Sequence, residues 1–414
     1  MANCKEAYKM IKKIKALFFD QLYAISLYSR QIAGTIVLIF LTRILSVHDY
    51  GLMRSYGSII TFCLMFANLG FNEYILVSSQ NVVKQVQLKI GLFLINAMFL
   101  ATLIGIGGIF SPLESKLIFI LMLLRTFFDV TFFAIILPYY QATRKFNLIS
   151  GINIFYSIAT IIIAIAAYIF KLSLAKFLFL GTLLGIFNFI QCSYFARINY
   201  FMVIKHIKEL LLKIDKSVFA YSGVTLGFYL YNQLPSVYTS LFTTKEQAAL
   251  FFAAFSVASI IGLLVSAQTQ KMIPEMINVD VQKVKNIIKK NLIFVLSVTS
   301  IVFIFMIFLG KLFLQILYGK AYYMNAYPIL LILTLANIFI AEGAIFGTYI
   351  TASGNQKMKI PMMIETSVFT ILGLICFRKY NIYGASFALL LAAIYAGTRF
   401  TLTSLNLLKK QEEK

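Results

Sequence analysis

The sequence is poor in charged residues, above all acidic ones, and it contains no tryptophan. Only 13% of the 414 residues are charged, and 15 Asp and Glu stand against 37 Lys and Arg. Soluble domains carry about 25% charged residues, so this deficit argues against a water-soluble protein. Hydrophobic residues make up 60% of the chain. The composition is therefore that of a membrane protein whose interfacial aromatic residues are Tyr and Phe.

The residue types that build enzyme active sites and metal centres are scarce as well. The four cysteines are scattered without a C-x-x-C pair, which predicts neither a disulfide nor a metal site. The two histidines, His48 and His206, are predicted to lie on opposite sides of the membrane, so they form no His-pair metal site. Gly319-Lys320 is followed by Ala321 and is no phosphate-binding loop. We expect neither an enzyme nor a cofactor.

Long apolar runs predict about twelve transmembrane helices. A helix needs about 20 apolar residues to cross the hydrocarbon core. Lipid offers no partners for an open backbone, and no alternating barrel strands are visible, so the fold class is an all-α polytopic membrane protein. The predicted spans cover residues 22–45, 52–79, 89–110, 117–140, 148–169, 174–196, 217–241, 248–270, 291–317, 326–350, 360–377 and 384–406.

Basic residues alternate with the predicted spans. Most Lys and Arg fall in segments on one side, which the positive-inside rule identifies as cytoplasmic. Both termini are therefore predicted to be cytoplasmic. The alternation also explains the net charge of +22, so no nucleic-acid partner is expected. The outer segments and adjoining span ends hold Lys116, Lys171, Lys176, Lys245, Lys311, Lys320, Arg378 and Lys379.

No predicted connection is long enough to hold a soluble domain. The connection after span 6 has apolar residues on one helical face and lysines between them, which predicts an amphipathic helix on the membrane surface. A second connection, before span 9, has the same pattern. The first one divides the chain into an N-terminal lobe over 1–200 with spans 1–6, a cytoplasmic linker over 201–216, and a C-terminal lobe over 217–414 with spans 7–12.

Several ionisable residues lie within the spans. A charge at the bilayer centre costs about 3 kcal/mol on insertion scales, so such residues usually face a polar interior. Arg30 in span 1 and Glu342 in span 10 lie deep and have no opposite charge nearby in the sequence. Arg125 and Asp129 are four residues apart on one helix face, so they either neutralise each other or contact a substrate. Three others lie near cytoplasmic span ends and are interpreted as snorkelling side chains: Glu73, Glu365 and Arg399.

Span 7 contains an unusual series of small and polar residues. Gly223, Gly227, Asn232, Gln233 and Pro235 interrupt one apolar run. Proline removes an intrahelical hydrogen bond, and the freed carbonyl can bend the helix or face a cavity. The series indicates either a gating helix whose polar groups line a cavity or an ordinary packed kink.

Four short motifs occur at the ends of predicted spans in both halves of the chain. They are LSVHDYGL at 45–52, QATRKF at 141–146, LYGKAY at 317–322 and YGAS at 383–386. This set resembles Wzx-type oligosaccharide flippases, the polysaccharide-transport branch of the multidrug/oligosaccharidyl-lipid/polysaccharide (MOP) exporter superfamily. The resemblance implies two six-helix lobes around a central cavity that opens alternately to each side.

The resemblance also implies a substrate and a set of site residues. Undecaprenyl-diphosphate-linked O-antigen or capsule repeat units would move from the cytoplasmic to the periplasmic leaflet of the bacterial inner membrane. Arg30 and Arg125 are the positions that could meet the diphosphate. Relatives often carry an acidic residue midway along span 7, where this chain has Asn232-Gln233. Coupling to H⁺ or Na⁺ would then fall to Asp129 or Glu342.

The partners implied are the lipid-linked oligosaccharide, membrane lipid, and an O-antigen polymerase with its chain-length regulator. Two alternatives remain open. A drug or metabolite exporter of the same superfamily would share the fold and prefer a carboxylate-rich cavity for cations. A membrane polymerase would need a large outer loop, and an acyltransferase an embedded histidine; neither feature is seen in the sequence.

Overall fold

The computed structural model describes residues 26, 29–30, 32–68, 96–108, 115–131, 140, 145–196, 205, 217–276 and 279–413. All longer elements in these ranges are α-helices. They are α1 (Ile32–Ile44), α2 (Val47–Asn68), α3 (Asn96–Gly108), α4 (Lys116–Thr131), α5 (Phe146–Ile169), α6 (Leu174–Ala196), α7 (Ser217–Phe242), α8 (Lys245–Ala258), α9 (Ile260–Met276), α10 (Val281–Tyr318), α11 (Lys320–Ala352), α12 (Lys359–Cys376) and α13 (Asn381–Glu412).

The helices follow the hydropathy of the chain, and each of the twelve predicted spans contains at least part of one. Among the described residues, six helices are long and apolar enough to cross a membrane by length and composition: α5, α6 and α10 to α13. The helices α1 and α3 are shorter apolar helices. The protein is thus an all-α, multi-pass membrane protein. The predicted linker over 201–216 lies outside the described residues, except for Lys205.

Two predicted boundaries differ from the structure. The span predicted over 248–270 contains two helices, α8 and α9, which are separated by a local irregularity at Ser259. The Ser259 hydroxyl donates to the carbonyl of Ser256 at 2.9 Å, a local bond that competes with regular helix. The second difference is at α10, which begins at Val281 and includes the predicted surface segment before span 9. The Asp280 carboxylate caps this helix by accepting from the Lys283 amide at 2.7 Å.

The chain forms two compact units. Unit one comprises residues 1–44 and 71–214, and unit two comprises residues 45–70 and 215–414. In unit one, α6 packs against both α4 and α5. In unit two, α11 packs against α10 and α13, and α12 packs against α7 and α13. Small residues allow close approach there: a Cβ at Gly373 would lie 3.0 Å from the Cα of Ala388.

The units differ from the predicted lobes in the position of α2. Chain order assigns α2 to the N-terminal lobe, but the helix packs in unit two against α7 and α8. A Cβ at Gly51 would overlap the backbone carbonyl of Lys245, so only glycine permits this contact. Arg54 donates to the Ser256 hydroxyl at 3.1 Å, and Tyr50 is fully buried. These three residues explain why α2 belongs to unit two.

Candidate functional site

The first candidate site lies in unit one, where two arginines meet one carboxylate. Arg30 precedes α1, and its Nη2 lies 3.5 Å from Oδ1 of Asp129. Arg125 is one helical turn before Asp129 on α4, and its Nε lies 3.9 Å from Oδ2. The three side chains are only 15%, 20% and 27% exposed, in the order Arg30, Arg125 and Asp129. Among the described residues, the cluster thus holds two guanidinium groups and one carboxylate.

Aromatic rings hold this cluster in place. The Tyr156 hydroxyl of α5 donates to Oδ1 of Asp129 at 2.6 Å, and the Cζ of Arg30 lies 4.4 Å from the centre of the same ring. The Cζ of Arg125 lies 5.4 Å from the ring centre of Phe177 on α6. Cations over aromatic faces are stabilised by about 0.5–2 kcal/mol. Each guanidinium is thus fixed both by the carboxylate and by a ring.

The neighbouring helix α6 leaves room for the Arg125 guanidinium, and α5 carries a buried side-chain amide. A Cβ at Gly181 of α6 would lie 3.3 Å from the Arg125 guanidinium, so a side chain there would crowd it. Asn153 lies on α5 close to one turn before Tyr156 and is fully buried. Within the described structure, neither amide atom of its side chain has a hydrogen-bond partner. Burying an amide without a hydrogen bond raises the free energy of the folded protein, so a ligand hydroxyl or a water would be stabilised beside this side chain.

The structure therefore brings together three of the predicted site residues. The sequence predicted that Arg30, as a deep charge, faces a polar interior, and the structure places the Asp129 carboxylate of α4 beside it. It also left open whether Arg125 and Asp129 neutralise each other. Asp129 contacts both arginines, so Arg125 shares this carboxylate with Arg30. The roles of these residues in binding and coupling stay predictions.

Glu342 lies on α11 of unit two. Its Oε1 accepts from the Thr401 hydroxyl of α13 at 3.0 Å. A Cβ at Gly397 would lie 3.7 Å from the other carboxylate oxygen, so this glycine brings α13 close to the acid. In the part of the chain that the structure describes, no cation pairs with Glu342. It is a carboxylate within a span whose visible partner is neutral.

An ion pair between α12 and α13 was missed by the sequence reasoning, which interpreted Glu365 and Arg399 as separate snorkelling residues. The Arg399 guanidinium binds the Glu365 carboxylate in a bidentate manner, with distances of 2.9 and 3.2 Å. The Tyr395 hydroxyl also donates to this carboxylate at 2.6 Å. The one available signal was that two opposite charges were predicted at similar depth near the cytoplasmic ends of neighbouring spans.

The predicted gating residues lie on α7, which continues through Pro235 to Phe242. The Asn232 amide donates to the carbonyl of Phe228 on the same helix at 3.1 Å. Gln233 is half-buried and Pro235 is buried. The Thr239 hydroxyl donates to the carbonyl of Pro235 at 2.8 Å, which adds a local bond in the turn after the proline. A gating role for these residues stays a prediction.

These features define a class: a polytopic membrane protein with charged groups inside its spans. Among the described residues, no group of three or more His, Cys, Asp or Glu could hold a metal ion. No family model and no curated protein sequence matches the chain. The fold, in contrast, has clear relatives among solved transporters.

Three solved structures illustrate this likeness. An inward-facing multidrug resistance MATE family transporter of the MOP superfamily superimposes with a TM-score of 0.70 and 11% identity, covering 93% of this chain and 96% of its own. A variant of the Vibrio cholerae MATE transporter VcmN superimposes with a TM-score of 0.63 and 12% identity, and the match covers 95% of this chain and 96% of that chain. A MOP superfamily transporter from Pyrococcus furiosus superimposes with a TM-score of 0.60 and 12% identity, and the match covers 95% of each chain. The chain thus has the fold of MOP superfamily transporters.

Proposed function

We propose that the protein is a transporter that flips a diphosphate-linked lipid oligosaccharide from the inner to the outer leaflet of a bacterial inner membrane. The observation that carries this proposal is the arginine pair of unit one, where Arg30 and Arg125 contact the same carboxylate, that of Asp129. A cationic drug would be repelled by such a site, whereas an anionic headgroup is attracted. The sequence motifs that resemble Wzx-type flippases support the same substrate class.

The chemistry of guanidinium groups supports a phosphate ligand. Arginine forms bidentate, charge-assisted hydrogen bonds with phosphate oxygens, and these are about twice as strong as neutral ones. Two unit charges 4 Å apart interact by about 4 kcal/mol at an effective dielectric of 20. Asp129 already contacts both arginines at 3.5 and 3.9 Å. A diphosphate would replace these two long contacts with shorter ones, and Asp129 would act as the internal counter-ion of the empty site.

Ion coupling and gating complete the proposal. We assign coupling to H⁺ or Na⁺ first to Glu342, because its visible partner is the neutral Thr401 hydroxyl. Asp129 is the second candidate, because its charge is already engaged by two arginines. Pro235 cannot donate a backbone hydrogen bond, which makes α7 the natural place for bending during the cycle.

A drug or metabolite exporter is the second candidate function. The likeness in fold to a multidrug resistance MATE family transporter favours it. The Pyrococcus furiosus transporter points the other way, because the reversed polarity of its binding pocket suggests a different function for that protein. The arginine pair of unit one would suit an anionic substrate, whereas Glu342 would suit a cation. The choice therefore depends on which charge the substrate carries.

A flipping assay separates the two functions. The purified protein is reconstituted into vesicles with a polyprenyl-diphosphate oligosaccharide that carries a fluorophore on its sugar, and dithionite bleaches the outer leaflet only. We expect Arg30→Ala and Arg125→Ala to slow flipping tenfold or more and Arg30→Lys to keep part of the rate. Arg43→Ala is the matched control, because Arg43 lies exposed at the other end of α1.

The second function is measured in the same vesicles with the cationic dye ethidium. Ethidium transport without lipid flipping would replace the flippase proposal with the exporter. Full flipping activity of Arg30→Ala and Arg125→Ala would contradict the role of the arginine pair.

A further inference from the structure

An apolar groove lies between α7 and α12 of unit two. Its volume is about 440 Å³, within the range of about 300–1,000 Å³ typical of small-molecule sites. The guanidinium-bearing residue Arg378 lies at one end of the groove, where α12 has ended. The walls are formed by Leu234, Val237, Leu241, Ile371, Leu374 and Ile375.

The groove exists because α7 and α12 touch at one end only. A Cβ at Gly227 would overlap Met363, and a Cβ at Gly223 would lie 3.5 Å from Ile360. The Ser367 hydroxyl donates to the carbonyl of Gly227 at 3.3 Å. Small residues thus hold the first half of α7 close to α12. Beyond this contact the facing residues enclose open space instead of packing together.

The length of the groove is close to the thickness of the hydrocarbon layer of one leaflet. Its wall on α7 extends from Leu234 to Phe242, which is about 12 Å at 1.5 Å per residue. One leaflet contributes about 15 Å of a hydrocarbon core about 30 Å thick. Leu241 and Ile375 are 57% and 65% exposed, so the groove is open to the lipid. Its apolar walls suit an acyl chain.

The mouth of the groove carries positive charge. Arg378, Lys379 and Tyr380 form a single exposed 3₁₀ turn after α12. The Tyr238 hydroxyl of α7 donates to the Arg378 carbonyl at 3.5 Å, which ties this turn to the groove. The sequence has no Asp or Glu on α7, nor from 366 to 411, so no nearby carboxylate in these segments neutralises the turn. Tyrosine and basic residues together are typical of the headgroup level.

We propose that this groove binds an anionic glycerophospholipid of the outer leaflet, with one acyl chain between α7 and α12 and its phosphate at Arg378 and Lys379. The predicted topology places this turn on the outer side. Charge complementarity selects the occupant, because an arginine binds a phosphate in a bidentate manner. Each basic residue near an anionic headgroup strengthens binding about fivefold. The inference is independent of the substrate that the protein transports.

The absence of tryptophan makes the groove directly measurable. Phe242→Trp introduces a single tryptophan at the groove, where Phe242 is 62% exposed. Phe308→Trp is the matched control, since Phe308 lies on α10 and is 78% exposed. Each variant of the full chain is reconstituted into phosphatidylcholine vesicles with a small fraction of phosphatidylglycerol brominated on its acyl chains. Tryptophan quenching then reports the lipid beside each position.

We expect brominated phosphatidylglycerol to quench position 242 at least fivefold more effectively than position 308. Brominated phosphatidylcholine should quench both positions equally. In the Phe242→Trp background, the double change Arg378→Ala with Lys379→Ala should remove the preference. Val237→Phe, which fills the groove and leaves both charges, should remove it as well.

Three results would overturn the proposal. Equal quenching of both positions by phosphatidylglycerol would mean that only ordinary boundary lipid lies there. A preference that survives Val237→Phe would place the lipid outside the groove. No quenching at position 242 by either lipid, with normal quenching at position 308, would show that a protein segment covers the groove.

Discussion

Replacing Asp129 by asparagine tests the electrostatic balance of the unit-one cluster. The change keeps the size of the side chain and removes the single charge that faces both Arg30 and Arg125 at 3.5 and 3.9 Å. All three side chains are less than one third exposed, so solvent screens them only in part. Removing one partner of a buried ion pair costs about 3–5 kcal/mol, because it leaves an uncompensated charge. We therefore expect Asp129→Asn to lower the melting temperature by on the order of 10 °C.

The assay can use the chain's own thiols. Cys192 is free and fully buried in unit one, so a thiol-reactive dye reports its exposure on heating once Cys4, Cys63 and Cys376 are replaced by serine. Asp280→Asn is the matched control: the Asp280 side chain is 59% exposed, and asparagine caps a helix as well as aspartate does. Adding Arg125→Ala to Asp129→Asn should recover part of the loss, because one of the two cations is then gone. An unchanged melting temperature for Asp129→Asn would refute the reasoning that this carboxylate balances the cluster.

Three further predictions concern α2, the topology and ion coupling. Gly51→Ala should lower the melting temperature, because the added Cβ would overlap the Lys245 carbonyl. Gly151→Ala is the control: its Cβ would meet no atom within 4 Å, so the change should be neutral or slightly stabilising. Thermal melting of both variants measures this difference. Reporter fusions at Lys245 and Lys320 should report the outer side of the membrane, and a cytoplasmic signal at either would contradict the span count. Glu342→Gln should make transport insensitive to an imposed H⁺ or Na⁺ gradient, and an unchanged gradient response would remove Glu342 from coupling.

The helices were predictable because lipid imposes one strong rule on the chain. Every backbone group must be satisfied inside the segment, so hydropathy alone locates the spans. The break between α8 and α9 at Ser259 was not predicted; there the Ser259 hydroxyl donates to the Ser256 carbonyl inside an apolar run. No hydropathy window of about 20 residues resolves such a change.

The candidate site was only partly predictable for a different reason. Arg125 and Asp129 are four residues apart on one helix, so their contact follows from helical geometry. Asp129 lies 99 positions after Arg30, and Arg399 lies 34 positions after Glu365. Burial cost predicts that such charges have partners, but only helix packing determines which partner each one finds.

The position of α2 illustrates the same limit. Chain order assigns it to the first lobe, and its glycine at position 51 looks like part of a loop motif. Packing against α8 instead depends on the absence of a Cβ at this position and on the bond from Arg54 to Ser256. Both are contacts between residues about 200 positions apart, which a single sequence does not display.

Binding of a lipid diphosphate to the purified protein tests the central claim most directly. Undecaprenyl diphosphate is compared with undecaprenol, which has the same chain and no phosphate, on the wild-type protein and on the double variant Arg30→Ala with Arg125→Ala. Hydrogen bonds to charged groups contribute about 1.5–3 kcal/mol each, so we predict about tenfold or more weaker diphosphate binding for each arginine removed. Undecaprenol should bind the two proteins equally weakly. Equal affinity of the wild-type protein for both lipids, or unchanged diphosphate binding by the double variant, would contradict the account.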